Sequence, residues 1–268
     1  MKNIFLSLFW FLGVGQTKFV PPEIFTPTIA PTPTIHQVTF AEINQKYGPC
    51  ASVNVLMYHH IQDEKVAKKL GQAGLTVTPD WFDKQMQYLK DKQYNVLKVE
   101  DLVDYFSGKR ALPKKAVVIT LDDAYEDNYL SAYPILKKYN FPATIFTPTG
   151  LVNVMDYLNW NEINDMKNSG LIYFANHTWS HHSALDKKEI LEKEIGLADS
   201  QLNEKGLNTA KVFAYPYGKP SDGAEDVLAK LGYNIAFTTR NGNILCTKQK
   251  YTLPRIRVGN APLSKYGL

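Results

Sequence analysis

From residue 116 onward, short apolar runs alternate with segments of helical period, and that alternation restricts the chain to folds built from parallel β/α units. Residues 116–121, 143–146, 171–175, 211–214 and 234–238 read as strands. Between them, 129–139, 161–169, 186–202 and 222–231 carry apolar residues at helical intervals. In the segment 186–202 the stripe is Ile190, Leu191, Ile195, Ala198 and Leu202, with Asp186 placed to cap it. Upstream, residues 53–58 form a buried-strand candidate, Pro79-Asp80-Trp81-Phe82 opens a helix, 96–99 is a short strand, and a helix runs from Leu102 to Phe106. Residues 63–78 read as a loop or insertion, and no internal repeat is evident.

The chemistry-bearing residues follow the strands. One run ends in Thr120-Leu121-Asp122-Asp123, another leads into His177-Thr178-Trp179-Ser180-His181, and 53–58 is followed by His59-His60. In a β/α barrel the loops after the strands converge on one mouth, where active sites sit. Two imidazoles and one carboxylate make a three-ligand metal site with an open position, the pattern of catalytic rather than structural zinc. The other carboxylate is then free to take a proton from a water that the cation acidifies. The four-residue spacing of the histidines fits one face of a helix or a tight loop. Taken singly, the acid pair also fits a helix cap beside a surface acid, and the histidines one core and one surface ring. His182 is expected to point away from the site, and Trp179 to pack beneath it or offer a sugar-stacking face. Phe213-Ala214-Tyr215-Pro216-Tyr217-Gly218 follows another strand. Its glycine permits a sharp turn that could aim a backbone N–H at an oxyanion, and a packed aromatic turn fits it equally.

With 268 residues, 44% of them hydrophobic and 21% charged, the composition is that of an ordinary globular protein. The formal charge of +4 is spread without a basic stripe, which excludes a nucleic-acid surface but suits weak attraction to an anionic wall or membrane. Cys50 and Cys246 are the only cysteines. They can pair in an exported protein or remain two unrelated buried thiols. Met1-Lys2-Asn3 precedes an apolar stretch over 4–14, short for a membrane span. Residues 1–16 therefore read as a signal peptide or an uncleaved anchor. Residues 17–46, rich in Pro and Thr through residue 34, read as a linker, and 47–268 as one folded domain. Either reading of the leader places the body outside the cytoplasm, secreted or tied to the cell envelope through its N-terminus.

Three motifs in order resemble the polysaccharide deacetylase family, the carbohydrate esterases of the NodB-homology type. They are Thr120-Leu121-Asp122-Asp123-Ala124, His177-Thr178-Trp179-Ser180-His181 and Ala214-Tyr215-Pro216-Tyr217, supported by the segment from Pro134 to Phe146. The resemblance implies an α/β fold, a distorted (β/α)7 barrel. It implies Asp122 as general base, Asp123, His177 and His181 as ligands of Zn2+ (or a related cation such as Co2+), and the Tyr217 N–H as an oxyanion donor. Tyr215 and Pro216 become substrate-binding candidates of the third motif. The implied reaction is removal of acetyl groups from N-acetylglucosamine-containing polysaccharide. An O-acetyl xylan esterase and a catalytically weak glycan-binding barrel are the alternatives. Three departures stand out. Ala124 replaces a glycine, Ala214 stands where many members carry an arginine that orients the base, and no histidine follows His182 to supply the late general acid. The ending Leu253-Pro254-Arg255-Ile256-Arg257-Val258, with Leu56-Met57-Tyr58-His59-His60, resembles the subgroup acting on exported poly-N-acetylglucosamine. His59 is then the candidate for protonating the leaving amine, and Arg255 for orienting the base or binding substrate.

Overall fold

The computed structural model describes residues 38–184 and 187–268. The leader over 1–16, most of the Pro/Thr-rich stretch and the capping candidate Asp186 lie outside the described residues. Among those described, seven strands close into a parallel barrel: β1 (Asn54–Tyr58), β2 (Ala116–Asp122), β3 (Ala143–Thr147), β4 (Ile172–Asn176), β5 (Val212–Ala214), β6 (Ile235–Asn241) and β7 (Leu253–Arg257). Each pairs with the next in sequence, and β7 returns to β1 through Ile256↔Leu56 and Arg257↔Met57. The expected (β/α)7 barrel is thus present, and its distortion can be located. The β4–β5 seam has one registered pair, Asn176↔Phe213, and the β6–β7 register shifts between Phe237 and Asn241. A further strand, Asn95–Val96, pairs with the first two residues of β2, while β3 pairs with the last three.

Period-two alternation divides the apolar residues into layers. Val53, Val55, Ala116, Val118, Phe146, Ala175, Ala214, Phe237 and Leu253 cluster together as one core. Leu56, Tyr58, Val117, Ile119, Leu121, Ile145 and Phe174 join a second core with helical residues such as Phe82, Met86, Leu136 and Ile163. Every residue of β2 is buried, as expected of a parallel strand covered on both faces.

The helices begin and end on local signals. Thr78 caps Pro79–Asp91 with Pro79 in its first turn, and Asn159 and Glu162 form a capping box on Trp160–Asn168. The expected helix over 129–139 is divided into a π turn over Asn128–Ala132 and an α-helix over Tyr133–Tyr139. Pro134 explains the division, because it lacks the N–H that would bond the carbonyl of Leu130.

Two sequence expectations need correction. Residues 63–78 are not a bare loop. They hold a helix, Glu64–Lys69, capped by Asp63, and a short strand, Thr76–Val77, paired with His60–Ile61. The stretch assigned to the linker contains a helix, Phe40–Tyr47, and the compact unit runs from Val38 to Leu268. A Thr39/Glu42 capping box starts that helix, and its Asn44 side chain accepts the N–H of Cys50. It buries no residue, so it leaves little hydrophobic signature.

Cys50 and Cys246 form a disulfide, opposite one another in the antiparallel pair Cys50–Ser52 and Ile244–Cys246. It spans a sequence separation of 196 residues. Tethering so large a loop restricts the unfolded chain strongly, so Cys246→Ser should cost about 2–5 kcal/mol of stability. A lowered thermal midpoint, reproduced by adding reductant to the unmutated protein, is the expected result. Coincident melting curves would show that the cross-link adds nothing.

Candidate active site

The carboxylates of Asp122 and Asp123 reach one cavity because the backbone reverses hand where β2 ends. Asp123 and Ala124 have φ of 76° and 56°, the left-handed region that non-glycine residues adopt at a cost. Ala124 therefore holds a conformation suited to the family's glycine. Its methyl is buried in the outer core, away from the cavity lining. His177 follows β4 directly, and Thr178 and His181 at φ of 66° and 58° curl the loop back. The histidine spacing of four thus arises from a loop rather than a helix face. Asn176, fully buried, fixes the start of that loop by accepting the N–H of Thr178 at 2.8 Å.

Oδ1 of Asp123 lies 3.3 Å from Nε2 of His177 and 3.0 Å from Nε2 of His181. One ligand atom from each residue falls within 4.8 Å of the others, a group that could hold a metal ion. The donor chemistry fits a cation. His177 Nδ1 sits 2.7 Å from the Ala214 carbonyl, which fixes its N–H there and leaves the Nε2 lone pair facing Asp123. Lone pairs converging on one point repel unless a positive charge lies between them. His182 is not part of the group; its N–H bonds Thr178 Oγ1. Burial works to raise the pKa of Asp123, but His177 and His181, which can donate to it only as protonated rings standing in for a cation, outweigh burial and hold the carboxyl well below its ordinary range.

Asp122 lies beside this group and is gripped from another strand. Arg255, fully buried on β7, makes two hydrogen bonds of 2.7 Å to the Asp122 carboxylate. It also bonds Thr120 Oγ1 at 3.2 Å and the Thr238 carbonyl at 3.0 Å. The contact expected to be missing because of Ala214 is therefore supplied by Arg255. Burial favours a protonated Asp122, and the guanidinium reverses that, so its pKa stays below the ordinary value.

The donors open onto a cavity of about 300 Å³. His59, at the end of β1, lines it, and burial lowers the pKa of its imidazole against the pull of Asp122 and Asp123. Tyr217 lines it too, two-thirds exposed, with its ring 4.8 Å from that of His181. Its turn is left-handed at both Tyr217 and Gly218. A Cβ at Gly218 would fall 2.0 Å from Thr239 Oγ1, so only glycine fits there.

Three substrate-contact candidates stand away from the cavity, and Arg255 meets the base candidate, the other contact expected of it. Tyr215 packs at right angles on Phe213 in a closed core, Pro216 is buried, and Arg255 is spent on Asp122; none lines the cavity. Trp179 is not a core residue. It is 38% exposed, lies across Gly150, and is not part of the cavity lining. Conversely, Tyr125, Thr239, Leu75 and Arg257 line the cavity and were not singled out. Arg257 was within reach, because it shares the strand parity of Arg255. The support behind Tyr125 was not. His60 stacks on its ring at 3.6 Å and bonds Asp127, which lies 67 residues away in sequence.

Arg255→Met would leave the Asp122 carboxylate buried without its counter-ion, at an expected cost of about 3–5 kcal/mol near neutral pH. In the unmutated protein the pKa of Asp122 is lowered by folding, so its contribution is present above the ordinary carboxylate pKa and fades as pH falls through the folded value. In the variant, protonation relieves the unpaired charge, so the deficit should shrink toward acid pH. Denaturant unfolding over pH 4 to 7 reads this, and adding Asp122→Asn should restore part of the loss. A deficit independent of pH would break the assignment.

A family model described as polysaccharide deacetylase matches residues 109–236, a span that includes both carboxylates, the histidine loop and Tyr217. The Staphylococcus aureus (strain MRSA252) poly-beta-1,6-N-acetyl-D-glucosamine N-deacetylase is 30% identical over 199 residues, covering 69% of this chain and 68% of the relative. The Escherichia coli (strain K12) protein of the same description is 23% identical over 298 residues. That match covers 95% of this chain, which spans only 41% of the relative's length. Among solved structures, a Streptococcus pyogenes deacetylase, PplD, in complex with acetate superposes with a TM-score of 0.71 at 32% identity, covering 78% of this chain and 92% of that one. With the motifs assembled at the mouth of the barrel and a relative matched over more than two thirds of its length, the chain belongs to the polysaccharide deacetylase family.

Proposed function

We propose that the chain is a metal-dependent N-deacetylase acting outside the cytoplasm on N-acetylglucosamine-containing polysaccharide. One observation carries the reading. An oriented carboxylate, Asp122, whose guanidinium partner favours its ionised form, stands beside but outside a three-donor group that fits a divalent cation. The activity for which the Staphylococcus aureus and Escherichia coli relatives are named supports an N-acetylglucosamine polymer as substrate.

Asp123, His177 and His181 would hold the cation, with zinc favoured by the mixed imidazole and carboxylate set and cobalt as a substitute. Bound there, it supplies Lewis acidity, which polarises a carbonyl and acidifies water. Asp122 accepts the proton of the attacking water, and the Arg255 fork fixes which carboxylate edge faces the cavity. The Tyr217 N–H, on its left-handed turn beside His181, is assigned to the oxyanion that forms as the acetamide carbonyl is attacked. The C–N bond then breaks, the amine leaves with a proton, and acetate remains. His59 is assigned to delivering that proton. Burial disfavours its charged form, so it relays a proton released during the reaction rather than storing one. Arg255 supplies a base-orienting contact in place of the arginine that Ala214 lacks, which weighs against the catalytically weak glycan-binding barrel.

The disulfide supports an oxidising compartment. No helix among the described residues is long and apolar enough to cross a membrane. The leader over 1–16, as signal or anchor, and the Pro/Thr-rich stretch that follows it as spacer, would place the domain at the cell envelope.

Asp122→Asn should abolish acetate release from N-acetylglucosamine oligomers while metal content, read by elemental analysis, stays at the unmutated level. His181→Ala should lower metal content itself by weakening one of three ligands. Retained acetate release in the first variant, or full metal loading in the second, would overturn the respective role. Release of acetate from acetylated xylan but not from N-acetylglucosamine oligomers would replace the amide reading with an ester one.

A further inference from the structure

Positions 253, 255 and 257 of β7 share one face of the strand, so Arg257 stands one layer nearer the barrel mouth than Arg255. The two arginines differ in what they meet. Arg255 is fully buried and its guanidinium is consumed by Asp122, Thr120 and Thr238. Arg257 is exposed and lines the cavity with His59, Tyr125 and Tyr217. Among the described residues no carboxylate forms an ion pair or hydrogen bond with it. The cavity's own acids are engaged elsewhere, Asp122 by Arg255 and Asp123 by the two imidazoles.

A guanidinium is permanently charged, and its planar fork matches a carboxylate in a way that single hydroxyls do not. Held at a cleft mouth without a counter-ion, it raises the local concentration of anions. A neutral polymer of N-acetylglucosamine offers it only hydroxyl and carbonyl oxygens. We propose that the cleft selects acetylated glycans that carry a carboxylate next to the acetamido sugar, and that Arg257 is the group that reads it. This deepens the deacetylase reading and rests on it. Two glycan chemistries present such a carboxylate: a uronic acid as the neighbouring unit, and a lactyl ether on the sugar ring.

Three substrate sets separate the cases: neutral N-acetylglucosamine oligomers, oligosaccharides alternating N-acetylglucosamine with a uronic acid, and peptide-free glycan strands bearing lactyl carboxylates. With the metal-loaded full chain, at least one acidic set should show a KM about tenfold below the neutral set, the scale of one charge-assisted hydrogen bond. Whichever acidic set shows it names the source. Raised ionic strength should erode the preference. Arg257→Gln should abolish the acidic-over-neutral preference, and Arg257→Lys should restore part of it, since a charge without the fork remains. Equal KM for acidic and neutral sets in the unmutated protein would overturn the proposal, and so would an Arg257→Gln effect of the same size on every set. Calorimetric binding of the same glycans to the Asp122→Asn variant reads the preference without turnover. Failure of acetate release with acid-selective binding would therefore count against the deacetylase reading alone, and unselective binding against the role of Arg257.

Discussion

The site depends on one buried ion pair. Arg255 and Asp122 come from the last and second strands of the barrel, 133 positions apart in sequence, and meet through two hydrogen bonds with no solvent at the guanidinium. Desolvating both charges is expensive, and the bidentate geometry with further bonds to Thr120 and Thr238 offsets that cost. The pair does two things at once. It ties the last strand to the second across the first, and it fixes an ionised carboxylate at the edge of the cavity. The same bond therefore links barrel closure to the presence of a proton acceptor.

Around that pair the backbone is held in conformations that side chains disfavour. Asp123, Ala124, Thr178, His181 and Tyr217 all have positive φ, and all belong to the loops that carry the metal-binding group and the proposed oxyanion donor. Each such residue costs on the order of 1 kcal/mol or more, and the surrounding core has to impose it. The barrel provides that constraint through fully buried strands and side-chain anchors such as Asn176. The fold thus spends stability at its mouth to turn adjacent carboxylates, and histidines four apart, toward one point.

Much of this was legible in the sequence because it is local. Strand and helix positions follow from apolar periodicity, and each candidate ligand sits in the loop after a strand, where a parallel barrel gathers its loops. The Arg255–Asp122 contact was only half legible. The family resemblance offered Arg255 either for orienting the base or for binding substrate; only the fold, which brings two distant strands together, decides for Asp122. Tyr215 misled for a related reason. A motif marks a turn without saying which of its side chains faces inward, and Tyr215 points into the core while Tyr217 lies over His181. The helix Phe40–Tyr47 was missed because it buries nothing, and its capping box is a weak signal beside a proline-rich stretch.

The disulfide has a topological consequence. Cys50 stands just ahead of the strand that opens the ring, and Cys246 lies in the connection between its final two strands. A barrel whose first and last staves are held only by hydrogen bonds can come apart by peeling at that junction. Here the junction is riveted covalently, so disassembly has to start elsewhere on the circumference, and the thinly paired β4–β5 boundary, next to the histidine loop, becomes the natural point of first opening.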